Sequence, residues 1–382
     1  MNPFRTPSSH ENARAGHLAP PGTSPDGLFQ NALVDDVRAN GGVYRCAGTT
    51  VLLPRVFGFC GGVLRAVNML RRELDAAPRR TVWLLGPIIH NPTVNEWFRQ
   101  RGARILPEED VESCFRLAHP GDCLVVPAFG LPAETDRRVR EFVVAGGRIV
   151  DTTCPYVERI WRFAEEQARG GRTVVIHGKP DHPETRGILS RSLSSANSAI
   201  LVPDRKQADR LAEAIRTGRL DEYPRELVRQ PAYLRLDDMA AVNQTTMLHS
   251  ETVEIQDVLR GAVETRGGAF LASNTVCRAT QERQDAARDL CRARCELRIV
   301  VGGFDSSNTN RLYALADAAG PAYFVQNADA IEPNAIRHFD PASGKMRTTT
   351  HWRPPEPCTI GLLAGASCPD GIVGNIIRAL LR

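Results

Sequence analysis

Three cysteines stand where a short apolar run gives way to an amphipathic stretch: Cys60 in RVFGFCGGVLRA, Cys154 in VDTTCPYVERIW and Cys277 in SNTVCRATQERQDA. Thiolates are the usual ligands of iron–sulfur clusters, and a helix N-terminus favours thiolate over thiol. A closed structural zinc site needs four ligands. Three thiolates from three loops suit instead a 4Fe–4S cluster with one iron left open for substrate. Spacing alone does not decide this. There is no CxxC pair, and core cysteines beside tight turns fit the same positions.

The polar residues near other strand ends add to the case. His90 lies in IIHNPTVNEW, and HGKPDHPETRG places His182 and Glu184 two residues apart, an imidazole and a carboxyl suited to delivering a proton. DSSNTN sets Ser306, Ser307 and Asn308 directly before a helical stretch, where hydroxyls, an amide and backbone N–H groups can wrap a phosphate. A simple N-cap needs only one such residue. AGASCPD repeats the small-residue turn and offers Ser367, while Thr245 and Thr246 of NQTTM read as a turn or a hydroxyl relay. The other cysteines have weaker claims. Cys291 and Cys295 stand four apart in CRARC with no partner motif, and Cys368 is notable only for adjoining Ser367.

These residues are positioned by a recurring local pattern of apolar run, small or polar residues, then amphipathic helix. The apolar runs are Val51–Leu53, Thr81–Leu85, Cys123–Val126, Arg148–Val150, Thr173–Ile176, Ala241–Val242, Phe270–Ala272, Leu297–Val301 and Thr359–Leu363. Such alternation implies parallel sheets built from βαβ units, with working residues at the carboxyl ends of the strands. The predicted fold is therefore α/β, with three similar domains in a pseudo-threefold arrangement, each aiming one cysteine at a shared centre. The expected bounds are a flexible N-terminal extension over 1–42 (a tail over 1–28 above all), then domains at 43–149, 150–272 and 273–382. The charged stretch 203–238 reads as a surface excursion within the middle domain.

Composition excludes several classes. A net charge of +4 is too small to indicate nucleic acid, and no apolar run approaches the ~20 residues of a membrane helix. The first 30 residues hold no apolar h-region, so the expected compartment is the reducing cytoplasm, where cysteines serve as ligands or core residues rather than disulfides.

FGFCGGVLRAV, IIHNPTVNE, DTTCPYV, HGKPDHPET, NQTTM, CRATQERQDA, GGFDSSNTNRL and AGASCPD occur together and in this order. From about Val43 to the end, the chain resembles the 4-hydroxy-3-methylbut-2-enyl diphosphate reductases, the IspH/LytB family. The resemblance implies a three-domain α/β fold around one 4Fe–4S cluster with three Cys ligands, Cys60, Cys154 and Cys277. It implies that His90, His182, Ser306, Ser307, Asn308 and Ser367 hold the diphosphate. Glu184 would deliver a proton to the leaving hydroxyl, which Thr245 helps to position. The reaction implied is reductive dehydroxylation to isopentenyl and dimethylallyl diphosphate, the last step of the methylerythritol phosphate route. Electrons would come from a carrier such as ferredoxin or flavodoxin.

One position departs from the pattern. Many members place a second diphosphate-binding His in an S-A-H-G loop, and here the loop reads PAFG, with Phe129 in that place. The longer plant and cyanobacterial branch, which the chain also resembles in its extension and its 203–238 stretch, usually carries Phe. Two other readings compete: an enzyme similar to quinolinate synthase, which also joins three α/β domains around a three-Cys cluster, and a non-catalytic iron–sulfur sensor.

Overall fold

The run Thr173–His177 is buried along its whole length, as a strand covered by helices on both faces must be. The same holds for Cys123–Val126, Ala199–Val202 and Leu297–Val301. Each fully buried Val, Leu or Ile in these runs contributes roughly 1.5–3 kcal/mol of transfer free energy. The computed structural model describes residues 27–107, 110–193, 196–273 and 275–382.

In chain order, α1 (Ala32–Ala39), β1 (Val43–Cys46), β2 (Thr49–Leu52) and α2 (Gly61–Ala76) come first. Then β3 (Val82–Leu84), α3 (Pro92–Arg99), β4 (Ala103–Ile105), α4 (Val111–Leu117), β5 (Cys123–Val126), α5 (Ala133–Val144) and β6 (Arg148–Asp151) alternate. After α6 (Pro155–Arg169) come β7 (Thr173–His177), α7 (Pro183–Ser192), β8 (Ala199–Val202), α8 (Arg205–Thr217) and the short β9 (Val228–Arg229). β10 (Asp238–Asn243), α9 (His249–Thr265), β11 (Ala269–Ala272) and α10 (Arg278–Arg292) follow. The chain closes with β12 (Leu297–Val301), α11 (Ser307–Ala318), β13 (Ala322–Val325), β14 (Ala335–Asp340), β15 (Lys345–Thr350), β16 (Cys358–Ala364) and α12 (Asp370–Leu380).

The described chain divides into two units. One comprises 27–59, 283–304 and 312–382, and the other 60–282 and 305–311. The second unit holds two sheets. The first, in the order β4-β3-β5-β6, is parallel throughout. The other, in the order β11-β10-β7-β8-β9, is parallel except at its β9 edge. The first unit holds one seven-stranded sheet, β1-β2-β16-β12-β13-β14-β15, whose central strands are parallel and whose margins are antiparallel. The α/β reading therefore holds.

Three sequence expectations are corrected. Val43–Leu52 does not join the sheet of the 43–149 block: β2 pairs in parallel with β16, Cys358 facing Thr49 through Gly361 facing Leu52. Strand pairing between segments so distant in sequence leaves no local signal. Nor is the extension structureless up to residue 42. Asn31 caps α1 by accepting from the Leu33 N–H, and Leu33, Val34 and Val37 are buried in the core cluster that includes Ile372, Ile376 and Ile377. Of the tail expected over 1–28, residues 1–26 lie outside the described residues. The stretch 203–238 is more than a surface excursion, since α8 buries Ala208, Leu211, Ala212 and Ile215 in the core of the β7 sheet. Its apolar face is spread at helical spacing, and the many charges between those positions conceal it.

Candidate active site

The site residues owe their positions to helix starts. Pro92, Pro155 and Pro183 each occupy the first turn of a helix, and a proline holds the preceding residue in extended backbone. Asn91, Cys154 and His182 are those preceding residues, all extended. A strand end followed by X-Pro thus presents residue X at a helix N-terminus, where N–H groups and the dipole favour anions.

Cys60 is the N-cap of α2, its Sγ accepting from the Val63 N–H at 3.4 Å. Cys154 caps α6. The two loops meet at Gly62: a Cβ there would lie 2.8 Å from Cys154 Sγ and 3.9 Å from Cys60 Sγ. Only glycine admits that approach, which explains the second glycine of CGG. Cys277, at the head of α10, is buried. Burial pushes the Cys154 thiol up, the Tyr156 and Val157 N–H groups oppose this, and the like charges of Cys277 and Cys60 push it further up. Burial likewise raises the Cys277 thiol, against the Thr280 and Ala279 N–H groups and with Cys60 and Glu184 as repelling neighbours. Three thiols that repel one another as thiolates lose that repulsion when a cationic centre is bound among them. Among the described residues, no three His, Cys, Asp or Glu side chains converge tightly enough to share a single metal ion. A multi-iron cluster accepts thiolates set wider apart, and the residues present fit one.

Glu184, 3% exposed, is held at both carboxyl oxygens: the Thr245 N–H donates to Oε1 at 2.6 Å and the Thr245 hydroxyl to Oε2 at 2.8 Å. Burial pushes its pKa up to about 7, despite those two bonds. The Thr245 carbonyl in turn accepts the Cys277 N–H at 3.1 Å. One threonine therefore links the buried acid to the third cysteine. The Cys277 loop is fixed further by Thr275, whose N–H and hydroxyl donate to the Asn243 side-chain oxygen at 3.0 and 2.8 Å.

His182 Nδ1 accepts the Glu184 N–H at 3.2 Å, so the ring proton lies on Nε2, a buried atom with no partner among the described residues. Its ring centroid is 5.0 Å from that of His90, and Phe129 stacks on His90 at 4.4 Å. Burial lowers His182 to about 3, helped by His90 and Lys179, and lowers His90 to about 4 against the pull of Asp305. Both imidazoles are thus neutral donors near pH 7. Asp305 opens the turn into α11, where Ser306, Ser307 and Asn308 are all nearly sequestered. Ser306 Oγ accepts from the Thr309 N–H and hydroxyl, as an N-cap does. Ser307 Oγ and both amide atoms of Asn308 are buried with no partner among the described residues. Buried polar groups are almost always satisfied, so these point to a polar ligand.

The second unit thus carries ten of the eleven candidates: three cysteines, two histidines, Glu184, Thr245, Ser306, Ser307 and Asn308. Ser367 lies in the other unit, buried in the turn between β16 and α12. Cys291, Cys295 and Cys368 are also in that unit. Cys291 Sγ points at the Leu315 carbonyl, and Cys368 is fully buried. No motif in the sequence marks Gln244, whose Oε1 accepts the Lys179 N–H and the Thr185 hydroxyl at 3.1 and 3.3 Å and joins the two polar loops. An amide beside Thr245 was its only signal in the sequence.

A family model described as LytB protein matches residues 51–381. The chain belongs to the LytB protein family. A relative from Synechococcus sp. (strain ATCC 27144 / PCC 6301 / SAUG 1402/1), named 4-hydroxy-3-methylbut-2-enyl diphosphate reductase, is 35% identical over 369 residues, covering 93% of this chain and 91% of its own. One of the same name from Thermosynechococcus vestitus (strain NIES-2133 / IAM M-273 / BP-1) is 34% identical, covering 93% and 90%. A solved (E)-4-hydroxy-3-methyl-but-2-enyl diphosphate reductase, described as the terminal enzyme of the non-mevalonate pathway, shares the fold at a TM-score of 0.54. It is 24% identical, covering 87% of this chain and 99% of its own. The reductase from Plasmodium falciparum does so at 0.64, with 20% identity over 87% and 88%. The cyanobacterial relatives agree with the branch that Phe129 suggested, and in this LytB chain Phe129 packs on His90 rather than facing a ligand as a donor.

Proposed function

We propose that this LytB chain is a 4-hydroxy-3-methylbut-2-enyl diphosphate reductase. It removes the substrate hydroxyl as water, using two electrons and two protons, and forms isopentenyl and dimethylallyl diphosphate. The observation that carries the reading is the chain Glu184–Thr245–Cys277, which ties a buried acid poised near neutrality to a cysteine at a helix head.

Cys60, Cys154 and Cys277 would hold one 4Fe–4S cluster, leaving one iron without a protein ligand. When bound, the cluster supplies electrons and a Lewis-acidic iron. The protein residues supply the rest. Neutral His90 and His182 donate to the diphosphate, as do the Ser306 and Ser307 hydroxyls, the Asn308 amide and the N-terminus of α11. Glu184, protonated at a pKa near 7, gives its proton to the departing hydroxyl, and Thr245 orients the carboxyl. Apolar Phe129 beside the imidazoles excludes water and keeps them uncharged. Electrons would arrive from a carrier such as ferredoxin or flavodoxin. Thiolate ligands suit the reducing cytoplasm, and no described helix is long and apolar enough to cross a membrane.

A sensor would have no use for the orphaned Ser307 and Asn308 atoms or for an acid near neutrality. The test is anaerobic: reconstitute the cluster, add dithionite-reduced mediator and substrate, and measure both products. No turnover at full cluster loading sinks the activity. Glu184→Gln should slow turnover by about 10²–10⁴ while cluster absorption persists.

A further inference from the structure

We propose that Arg65 is a positioning residue that holds the Cys154 loop against the helix headed by Cys60, setting the separation of two cluster ligands; this rests on the cluster reading above. Arg65 lies five residues after Cys60 on α2. Its Nη1 donates to the Thr152 carbonyl at 3.3 Å and to the Thr153 carbonyl at 3.1 Å, in the two residues before Cys154. Thr152 and Thr153 are 0% and 2% exposed, and no other donor reaches these carbonyls among the described residues. Arg65 is itself exposed, so water can replace it at these carbonyls at little cost, and what the guanidinium adds is a tie between this loop and α2.

The rest of the loop is tied elsewhere. The Thr152 N–H and hydroxyl both donate to the Val126 carbonyl, the Thr153 N–H to Asp151 and the Cys154 N–H to the Ala128 carbonyl. All of these anchor the loop to its own sheet. The Arg65 bonds anchor it to the Cys60 helix, and the Gly62 gap lies one turn earlier on that helix. Arg65 forms no ion pair with any described residue, so its guanidinium is committed to this link.

A second arginine makes a similar bond between two residues of the other unit. Arg283, six residues after Cys277 on α10, is 4% exposed, and its Nε and Nη2 donate to the Gly58 carbonyl at 3.1 and 2.8 Å. Gly58 stands two residues before Cys60. In both cases an arginine in the second turn of a cysteine-headed helix grips the approach to a different cysteine. A charged fork that reaches backbone carbonyls does this without adding a competing ligand, since arginine has no acceptor and stays protonated.

The experiment compares the unsubstituted chain with Arg65→Met and Arg65→Lys, each anaerobically reconstituted. Loss of the visible cluster absorbance is followed under a chelator, and the thermal midpoint of each apo protein is measured alongside. Arg65→Met should lose its cluster about tenfold faster, the usual scale for a residue that orients a ligand. Arg65→Lys, which keeps a cationic donor, should fall between the two, with apo midpoints alike. Equal cluster lifetimes in all three overturn the proposal, and so does a faster loss matched by a fall in the apo midpoint, which marks a merely structural residue. If the unsubstituted chain takes up no cluster, the cluster reading fails and the clamp falls with it. That result is distinct from a cluster that loads and is indifferent to Arg65.

Discussion

Thr245 gives Glu184 both of its hydrogens, backbone N–H at 2.6 Å and hydroxyl at 2.8 Å, while its carbonyl takes the Cys277 N–H at 3.1 Å. Both bonds to Glu184 favour the carboxylate, yet burial wins and the acid sits near 7. Glu184 ionises in the unfolded chain near 4.5 but in the fold only near 7, so it draws stability away as pH rises from 4.5 to 7. A shift of that size corresponds to roughly 3 kcal/mol for a fully buried group.

Turnover should therefore decline as pH rises through about 7, because the proposed proton donor can act only while protonated. A pH–rate profile measured with excess chemical reductant checks this. Glu184→Gln should remove the alkaline limb, and an unchanged limb in that variant assigns the ionisation to another group.

Gly62→Ala should destroy the close approach of the two loops. Its Cβ would stand 2.8 Å from Cys154 Sγ, a distance that real Cβ atoms do not tolerate. Cluster uptake after reconstitution should drop about tenfold, with the helical circular dichroism of the apo chain unchanged, since alanine is a better helix former than glycine. Full cluster occupancy in Gly62→Ala would refute the packing argument.

Ser307→Ala separates binding from folding. The Ser307 hydroxyl is buried without a partner among the described residues, so its removal should leave the apo thermal midpoint equal or higher. The substrate KM should rise about tenfold, the scale of one hydrogen bond to a charged group. A lower midpoint with an unaltered KM would show that the hydroxyl serves the fold instead.

His90 and His182 are held neutral by burial down to about 4 and 3, whereas an unfolded histidine protonates near 6.5. The unfolded state thus binds more protons below 6.5, and these two residues make the fold weaker as pH falls from 6.5 toward 4. Urea denaturation at pH 7 and pH 5 should show His182→Phe losing less stability over that interval than the unsubstituted chain. An equal loss in both would mean His182 is not buried neutral.

The candidate site residues are legible in the sequence because each sits at a local junction. The prolines after Asn91, Cys154 and His182, the glycines after Cys60 and the polar run that enters α11 are neighbours along the chain, and their backbone preferences act over one helical turn. The central strands were legible for the same reason: Thr173–His177 and Leu297–Val301 are continuous apolar runs.

What only the tertiary structure decided is the set of partners reached across the chain. Pairing of β2 with β16 and the burial of α1 beside Ile372 depend on segments more than 300 positions apart, whose contact leaves no local trace. The grip of Glu184 by Thr245, the narrow gap between Gly62 and Cys154 Sγ, and the reach of Arg65 to Thr152 and Thr153 are likewise matters of packing. A residue's type and neighbours determine what chemistry it can do. Its pKa, its burial and the groups that orient it come from the surroundings that folding assembles, so Glu184 became an acid near neutrality only in the folded protein.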